Sequence, residues 1–413
     1  MSPTPHDSAA VATLLPASVP PTRRRIAFAL ALLLGLQPIV TDVFLPALPA
    51  LTRELAAPMN RVQLTMSALI LAFGIAQLIW GPVADRIGRR PVLLAGTAMF
   101  TLASIGATLA ASIETLVAWR VVQGAAVAAT VVGARALVRD LYEPVEGAQV
   151  MSLGLSGLAV IALLGPVLGG FATAWLGWRA ALALVAIAGA LTLAWIAWGL
   201  PETAPRLNPR ATAPGPLLRQ WAVIARHPVF VAWTLLISST YGGLFVILAG
   251  SSFVYIGQLG LTPMAYGLAM ASGSLSYMVG TFVCRRWVAR HGMQRTVARG
   301  GFFTLAGGVA IVVPAWAGVE SVWALLLPQW LYVFGHGLHQ PCGQTGAVGP
   351  FPHAAGAAAA LTGCILALTA FFIGLWIGHA MDGSVRPFAL GVAFWALVTS
   401  TIAWTLVRRL PAP

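Results

Sequence analysis

Residues 227–284 read HPVFVAWTLLISSTYGGLFVILAGSSFVYIGQLGLTPMAYGLAMASGSLSYMVGTFVC, with no arginine, lysine, aspartate or glutamate between His227 and Cys284. A helix needs about 20 apolar residues to cross roughly 30 Å of hydrocarbon, so this stretch holds two crossings and a short turn. The rest of the chain has the same character. Of its 413 residues, 59% are hydrophobic and 8% are charged, against about 25% charged in soluble domains. Such a chain cannot cover itself with charge in water. That excludes an ordinary cytosolic enzyme, a secreted disulfide scaffold and a disordered protein, and leaves an integral membrane protein. Cys284, Cys342 and Cys364 lie in or beside apolar stretches without paired spacing, which argues against a disulfide framework and a common zinc site.

The same length rule predicts twelve spans, near 26–51, 62–82, 91–112, 116–138, 150–174, 180–200, 229–255, 265–284, 300–318, 322–345, 354–379 and 387–407. Residues 1–22 are a polar tail rich in Pro, Ser and Thr. No cleavable signal is expected, because the first apolar run is long and starts only after Arg23-Arg24-Arg25. The longest polar segment between spans follows the sixth and carries prolines and arginines, a linker composition. The expected organisation is a six-helix bundle at 23–200, a cytoplasmic linker at 201–228, a second bundle at 229–407 and a short tail at 408–413. Arginine-rich loops after spans two and eight, Asp85–Arg90 and Arg285–Arg295, occupy matching places in the two halves, the weak internal repeat of a two-bundle transporter.

All 24 basic residues are arginine. With both termini on one side, 18 lie in loops and tails on that side, Arg53, Arg61, Arg179 and Arg386 lie opposite, and Arg120 and Arg135 fall within spans. Positive residues stay in the cytoplasm, so both termini are expected there, in a bacterial inner membrane. The net charge of +13 is dispersed over short loops and is explained by orientation, not by nucleic acid.

The loop after span two reads Gly81-Pro82-Val83-Ala84-Asp85-Arg86-Ile87-Gly88-Arg89-Arg90-Pro91. It closely resembles the loop signature of the major facilitator superfamily. The resemblance implies an all-α fold of twelve transmembrane helices in two six-helix bundles. It also implies a gate in which Asp85, Arg86, Arg89 and Arg90, on a tight turn permitted by Gly88, form an ion-pair network with the end of span four, where Arg135, Arg139 and Asp140 lie. Arg120-Val121-Val122-Gln123-Gly124 in span four is similar to the superfamily's arginine–glutamine–glycine signature. An arginine there costs roughly 2.5–3.5 kcal/mol to insert and should find a polar partner, unless it snorkels to the outer interface.

Gly165, Pro166, Gly169 and Gly170 in span five resemble the signature of the superfamily's drug/proton antiporters, with Ile161 where a glycine is usual. Thr41-Asp42-Val43-Phe44-Leu45-Pro46 at the end of span one is similar to the bicyclomycin/chloramphenicol resistance branch (Bcr/CflA), as are Leu200-Pro201-Glu202-Thr203 and, less closely, Ser252-Phe253-Val254-Tyr255. Asp42 is the one acid assigned to the interior of a span. It is the expected proton site, tuned by Arg120: desolvation raises a carboxyl pKa and a nearby cation lowers it.

In span ten, His336 and His339 share a helix face and have Cys342 nearby. Pro341 interrupts the helix and no acid is close, so plain polar contacts or titration in a cavity are expected before metal binding. Tyr241, Phe245, Trp330, Phe371, Phe372 and Trp376, with the two histidines, are candidates to line an apolar substrate cavity. The resemblance implies proton-coupled export of small, mostly apolar antibiotics by a monomer in the lipid bilayer, without a cofactor. Import of a sugar or organic acid is disfavoured by the span-five motif and by the few polar residues in the spans. A membrane enzyme or sensor lacks a clustered catalytic group or a soluble output domain.

Overall fold

The computed structural model describes residues 22–204, 207–319 and 321–410; the expected tail, apart from Thr22, and Arg206 lie outside these. Among the described residues all regular structure is helical. Apolar sequence in lipid leaves little alternative, since the backbone must satisfy its own hydrogen bonds there.

Span one is Arg23–Asp42, with Pro38 inside it; it breaks after Asp42 into the short turn Leu45–Ala47 and resumes as Leu48–Glu54. Spans two to six are Met59–Ile87, Arg89–Thr108, Ile113–Leu141, Pro144–Leu176 and Trp178–Gly199. Span seven is Pro228–Ser252, extended by a wide helical turn at Phe253–Gln258. Spans ten to twelve are Val322–Val348, Ala355–Ala380 and Arg386–Ile402.

Ten described helices are long and apolar enough to cross a membrane, yet there are twelve crossings. Spans eight and nine, together Pro263–Ala310, are two helices that meet without a loop at Gly292, whose φ of 77° and ψ of 168° turn the chain. Span ten, with its glycines, prolines, histidines and glutamines, is too polar to be counted by hydropathy.

The arginine-rich segments expected to be loops are helix ends. Ile87 closes span two, Gly88 at φ 105° makes the whole turn and Arg89 opens span three; a residue with a Cβ would be strained at that φ. The segment Arg285–Arg295 is likewise helical on both sides of Gly292. The linker also holds an unforeseen helix, Pro214–Arg226, which exposes Leu218 and Val223 beside Arg219 and Arg226.

The buried cores show how the halves meet. On the side away from the linker one core joins both: Phe44, Leu48, Met66 and Trp178 belong to the same cluster as Phe245, Tyr255, Tyr266 and Phe388. On the linker side the cores are separate. Ile26, Leu30, Leu137 and Ile196 form one, and Phe230, Trp233, Val297, Leu338 and Val407 another. The buried apolar cores of the halves are thus continuous at one end, while spans two and eleven touch along their length and Arg139 reaches Gly356 at the linker side. Small residues permit the contact of spans two and eleven: Gly74 of span two lies against Ala367 of span eleven, and Gly378 of span eleven against Asn60.

Candidate functional site

The turn at Gly88 gathers a charged cluster at the linker side. Arg89 pairs with Asp85 (2.7 Å) and with Asp140 of span four (2.7 Å), while Arg139 reaches Asp85 (3.8 Å) and Asp140 (3.6 Å). The Arg89 and Asp140 side chains are only 7% and 6% exposed, so this pair is a real structural commitment: removing one partner strands a buried charge. Arg86 donates to Thr212 of the linker (2.8 Å) and Arg90 to the Ala197 carbonyl of span six (3.0 Å). Arg135 was expected in the cluster and makes no ion pair there; it lies on the exposed face of span four, one helical turn deeper than Arg139.

Glu202 completes this corner, in a role that sequence reasoning missed. Its carboxylate accepts from the backbone N–H groups of Arg89 (2.9 Å) and Arg90 (3.1 Å), the open N-terminus of span three. It also accepts from Thr203 and Ala204 (both 2.9 Å). Partial burial by itself raises the Glu202 pKa, but these four donors outweigh it and hold the carboxyl below its usual value. The signal was present as an acid following span six in a motif-like setting; its partner 113 residues upstream was not.

At the opposite end the span-five motif fastens three helices. Gly169 leaves no room for a side chain against the Val43 carbonyl, and a Cβ on Gly165 would lie 3.3 Å from that of Asp42. Gly170 faces Pro263 and Met264 of span eight, while Gly267 of span eight faces the Pro166 carbonyl. One motif thus seats span one on one side and joins the two bundles on the other. The departure at Ile161 is matched by a complementary one: its Cδ1 would stand 2.6 Å from a Cβ on Gly35 of span one. Large and small residues have exchanged sides of the contact.

Asp42 is half-buried at the last turn of span one, and the Thr41 hydroxyl donates to its Oδ1 (2.7 Å). It lies within electrostatic reach of the Tyr241 and Tyr266 hydroxyls of the other bundle. The expected tuning by Arg120 has no direct contact behind it in this conformation, since no ion pair joins them. Arg120 is fully buried and does not snorkel. It donates to the carbonyls of Val40 (3.0 Å) and Thr65 (3.2 Å) and to Gln123 Oε1 (3.1 Å), with its guanidinium 4.1 Å from the Phe44 ring centroid. Gln123 in turn donates to Ser104 (2.8 Å). The Val40 carbonyl near the Asp42 break, the Thr65 carbonyl of span two and one glutamine satisfy the arginine, and through Gln123 and Ser104 it ties spans one to four together. Phe44, Thr65 and Gln123 had not been assigned to this site.

The cavity candidates scatter. Tyr241 is partly exposed and tilts against buried Phe245, 6.3 Å between centroids. Trp330 is directed instead to the outer wall of its own bundle, where its indole donates to Ser272 (2.9 Å) and packs beside Trp323. Phe372 and Trp376 are 64% and 43% exposed, and Trp376 borders span twelve at Gly391; neither faces the other half. Phe371 shares the face that carries Ala367 and Gly374 toward span two. His336 is buried between Thr240 (3.2 Å) and the Tyr277 ring, while His339 meets the Val297 carbonyl (3.1 Å). The two imidazoles have different neighbours despite sharing a helix, and Cys342 lies 3.6 Å from Cys284.

Twelve crossings, cores fused at one end only and a buried ion-pair corner at the helix turn define a multi-pass membrane carrier. The chain belongs to the major facilitator superfamily, whose family model matches residues 30–375. It is 32% identical to Multidrug resistance protein D of Escherichia coli, over 81% of this chain and 83% of that one. It is 30% identical to a chloramphenicol resistance protein of Pseudomonas aeruginosa, over 89% and 82%. Among solved structures a D-xylose–proton symporter superposes with a TM-score of 0.77 at 17% identity, over 93% of this chain and 98% of that one. The last likeness concerns the fold alone. The family and fold are those of transporters and not of enzymes.

Proposed function

We propose that this protein exports small apolar or amphipathic antibiotics, of the phenicol or bicyclomycin kind, in exchange for protons. It would work in a bacterial inner membrane with both termini and the linker in the cytoplasm. The observation that carries the coupling scheme is Asp42: a half-buried carboxylate beside the span-five glycines, in reach of the opposite bundle and unpaired with any cation.

A carboxylate held by a fixed cation would stay ionised; one without such a partner can exchange its proton as its surroundings change. Facing outward, Asp42 takes up a proton and the drug leaves. Facing inward, it releases the proton and a new drug molecule binds. Neutralising the group removes the cost of burying a charge while the bundles rock past one another. The Arg89–Asp85–Asp140–Arg139 corner stiffens spans two to four at the cytoplasmic mouth and acts as part of its gate. The names of the resistance relatives support a drug as cargo, and the apolar character of the spans fits it.

Drug-evoked proton movement in inverted vesicles, with a panel of antibiotics, tests this reading. Wild type should release protons when a transported drug is added, and Asp42→Asn should not, although it still binds the drug. Full proton-coupled export by the Asn variant would refute the assignment of Asp42. An absence of proton response to every drug, from folded protein, would refute antiport.

A further inference from the structure

The two halves differ in how their linker-side arginines are satisfied. In the N-terminal half Arg89 and Arg139 pair with Asp85 and Asp140, Arg23 pairs with Glu146 (2.6 Å), and Glu202 caps span three. After Glu202 the sequence has only two acids, Glu320 and Asp382, which precede spans ten and twelve in the sequence. The linker helix and the linker-side helix ends of the C-terminal half therefore carry Arg219, Arg226, Arg285, Arg286, Arg290, Arg295, Arg299, Arg408 and Arg409 without an ion pair to an acidic side chain among the described residues. Membrane orientation accounts for positive charge on this side in both halves. It does not account for such ion pairs forming in one half only.

Span eight shows where a counter-charge would come from. Ser276, Gly280 and Cys284 turn toward span ten. On the opposite face run Leu275, Val279 and Phe282, which are 44%, 52% and 53% exposed, and this apolar track ends in exposed Arg285 and Arg286. Phe282, Arg285, Arg286 and Ala289 share one open face of this helix, and the Arg285 guanidinium rests 4.8 Å from the Phe282 ring centroid. An apolar strip leading to paired guanidinium groups matches an acyl chain below a phosphodiester. Arginine's fork of donors suits phosphate oxygens. The linker helix, with Leu218 and Val223 exposed beside Arg219 and Arg226, is built to lie in the same headgroup layer.

We propose that this face binds an anionic phospholipid of the cytoplasmic leaflet, with its headgroup on Arg285 and Arg286 and an acyl chain along Phe282, Val279 and Leu275. The lack of acidic side chains beside these arginines among the described residues sets the headgroup preference. A zwitterionic lipid brings an ammonium group that finds no acceptor acid here, whereas phosphatidylglycerol brings net negative charge alone. In the N-terminal half Arg23, Arg89 and Arg139 already meet carboxylates.

Native mass spectrometry of the intact, purified chain titrated with phosphatidylglycerol, phosphatidylethanolamine or phosphatidylcholine tests the proposal. Wild type should retain phosphatidylglycerol in preference to the other two. At about fivefold per arginine, the double variant R285Q/R286Q should bind it roughly twenty-five-fold more weakly. R61Q, on the opposite side of the membrane, should bind as wild type does, and the melting temperature in detergent of both variants reports whether each is folded. Equal retention of the three lipids, or unchanged phosphatidylglycerol binding by a folded R285Q/R286Q, would overturn the site. Val279→Asp, which leaves both arginines in place but charges the acyl track, should weaken binding as well; full binding would overturn the acyl-chain placement.

Discussion

Replacing Gly170 by alanine puts a methyl group 2.5 Å from the Pro263 carbonyl oxygen and 3.1 Å from Met264 Cα. Ordinary contact begins near 3.4 Å, so spans five and eight must part by about 1 Å. The neighbour is backbone and cannot rotate away as a side-chain end would. Overpacking of this kind costs typically 1–3 kcal/mol, and it acts only while the bundles touch here. If they separate at this end during the transport cycle, the same free energy favours the separated state by about 5- to 150-fold. Distances between spin labels at exposed Arg53 and Asp382, one on each half, would read this in lipid nanodiscs on a cysteine-free background. Gly170→Ala should add a longer-distance population that wild type lacks. Gly215→Ala in the linker helix, where a Cβ has no neighbour within 4 Å, should change nothing. An unaltered distance distribution in Gly170→Ala, or an equal change in Gly215→Ala, would refute the argument that this contact is opened in the cycle.

Three further outcomes follow from the geometry. Arg89→Gln strands the buried Asp140 carboxylate and should destabilise the protein by about 3–5 kcal/mol, seen as a lower melting temperature in detergent that R89Q/D140N partly restores. Glu202→Gln weakens the cap on span three, a loss of roughly 1 kcal/mol at neutral pH. Because the folded-state pKa lies below the usual 4.5, the carboxylate's contribution is complete above about pH 5. It fades as the pH falls through the folded value, so the melting curves of wild type and variant should converge in acid; a gap independent of pH would contradict this. Gly35→Ala should be destabilising by about 1–3 kcal/mol through collision with Ile161, and I161A should suppress it. Failure of that rescue in a thermal melt would show that the large-for-small exchange does not govern the contact.

Much of the fold was legible because lipid imposes a simple rule on sequence. Twenty or so apolar residues must become a helix, so runs such as 227–284 announce crossings without reference to anything distant. The errors lay where polarity and helicity part company. Arg285–Arg295 is polar and was expected to be a loop; it is helical because only Gly292 interrupts it. Span ten was recognised despite its histidines and glutamines, although its hydropathy is weak. The linker helix was missed because proline-rich composition hid an amphipathic stretch.

The candidate site divides in the same way. Asp85, Gly88, Arg89, Arg139 and Asp140 could be proposed together because a turn with a positive φ and a local acid–base pattern leave a mark in sequence. Trp330 and Trp376 could not be sorted from true cavity residues, because an aromatic on a membrane helix looks the same whether it meets lipid, a neighbour or a substrate. Sequence alone determined that the chain crosses the membrane many times, that its arginines gather at one set of helix ends and which short motifs stand at its turns. Those features depend on local hydrophobicity, charge and backbone freedom. Only the tertiary structure decided that Arg120 spends its donors on the Val40 and Thr65 carbonyls and on Gln123 and not on Asp42, that Glu202 caps a helix 113 residues upstream, and that Ile161 is answered by Gly35. Each of those depends on which helix faces which, and long-range packing leaves no local signature in either partner.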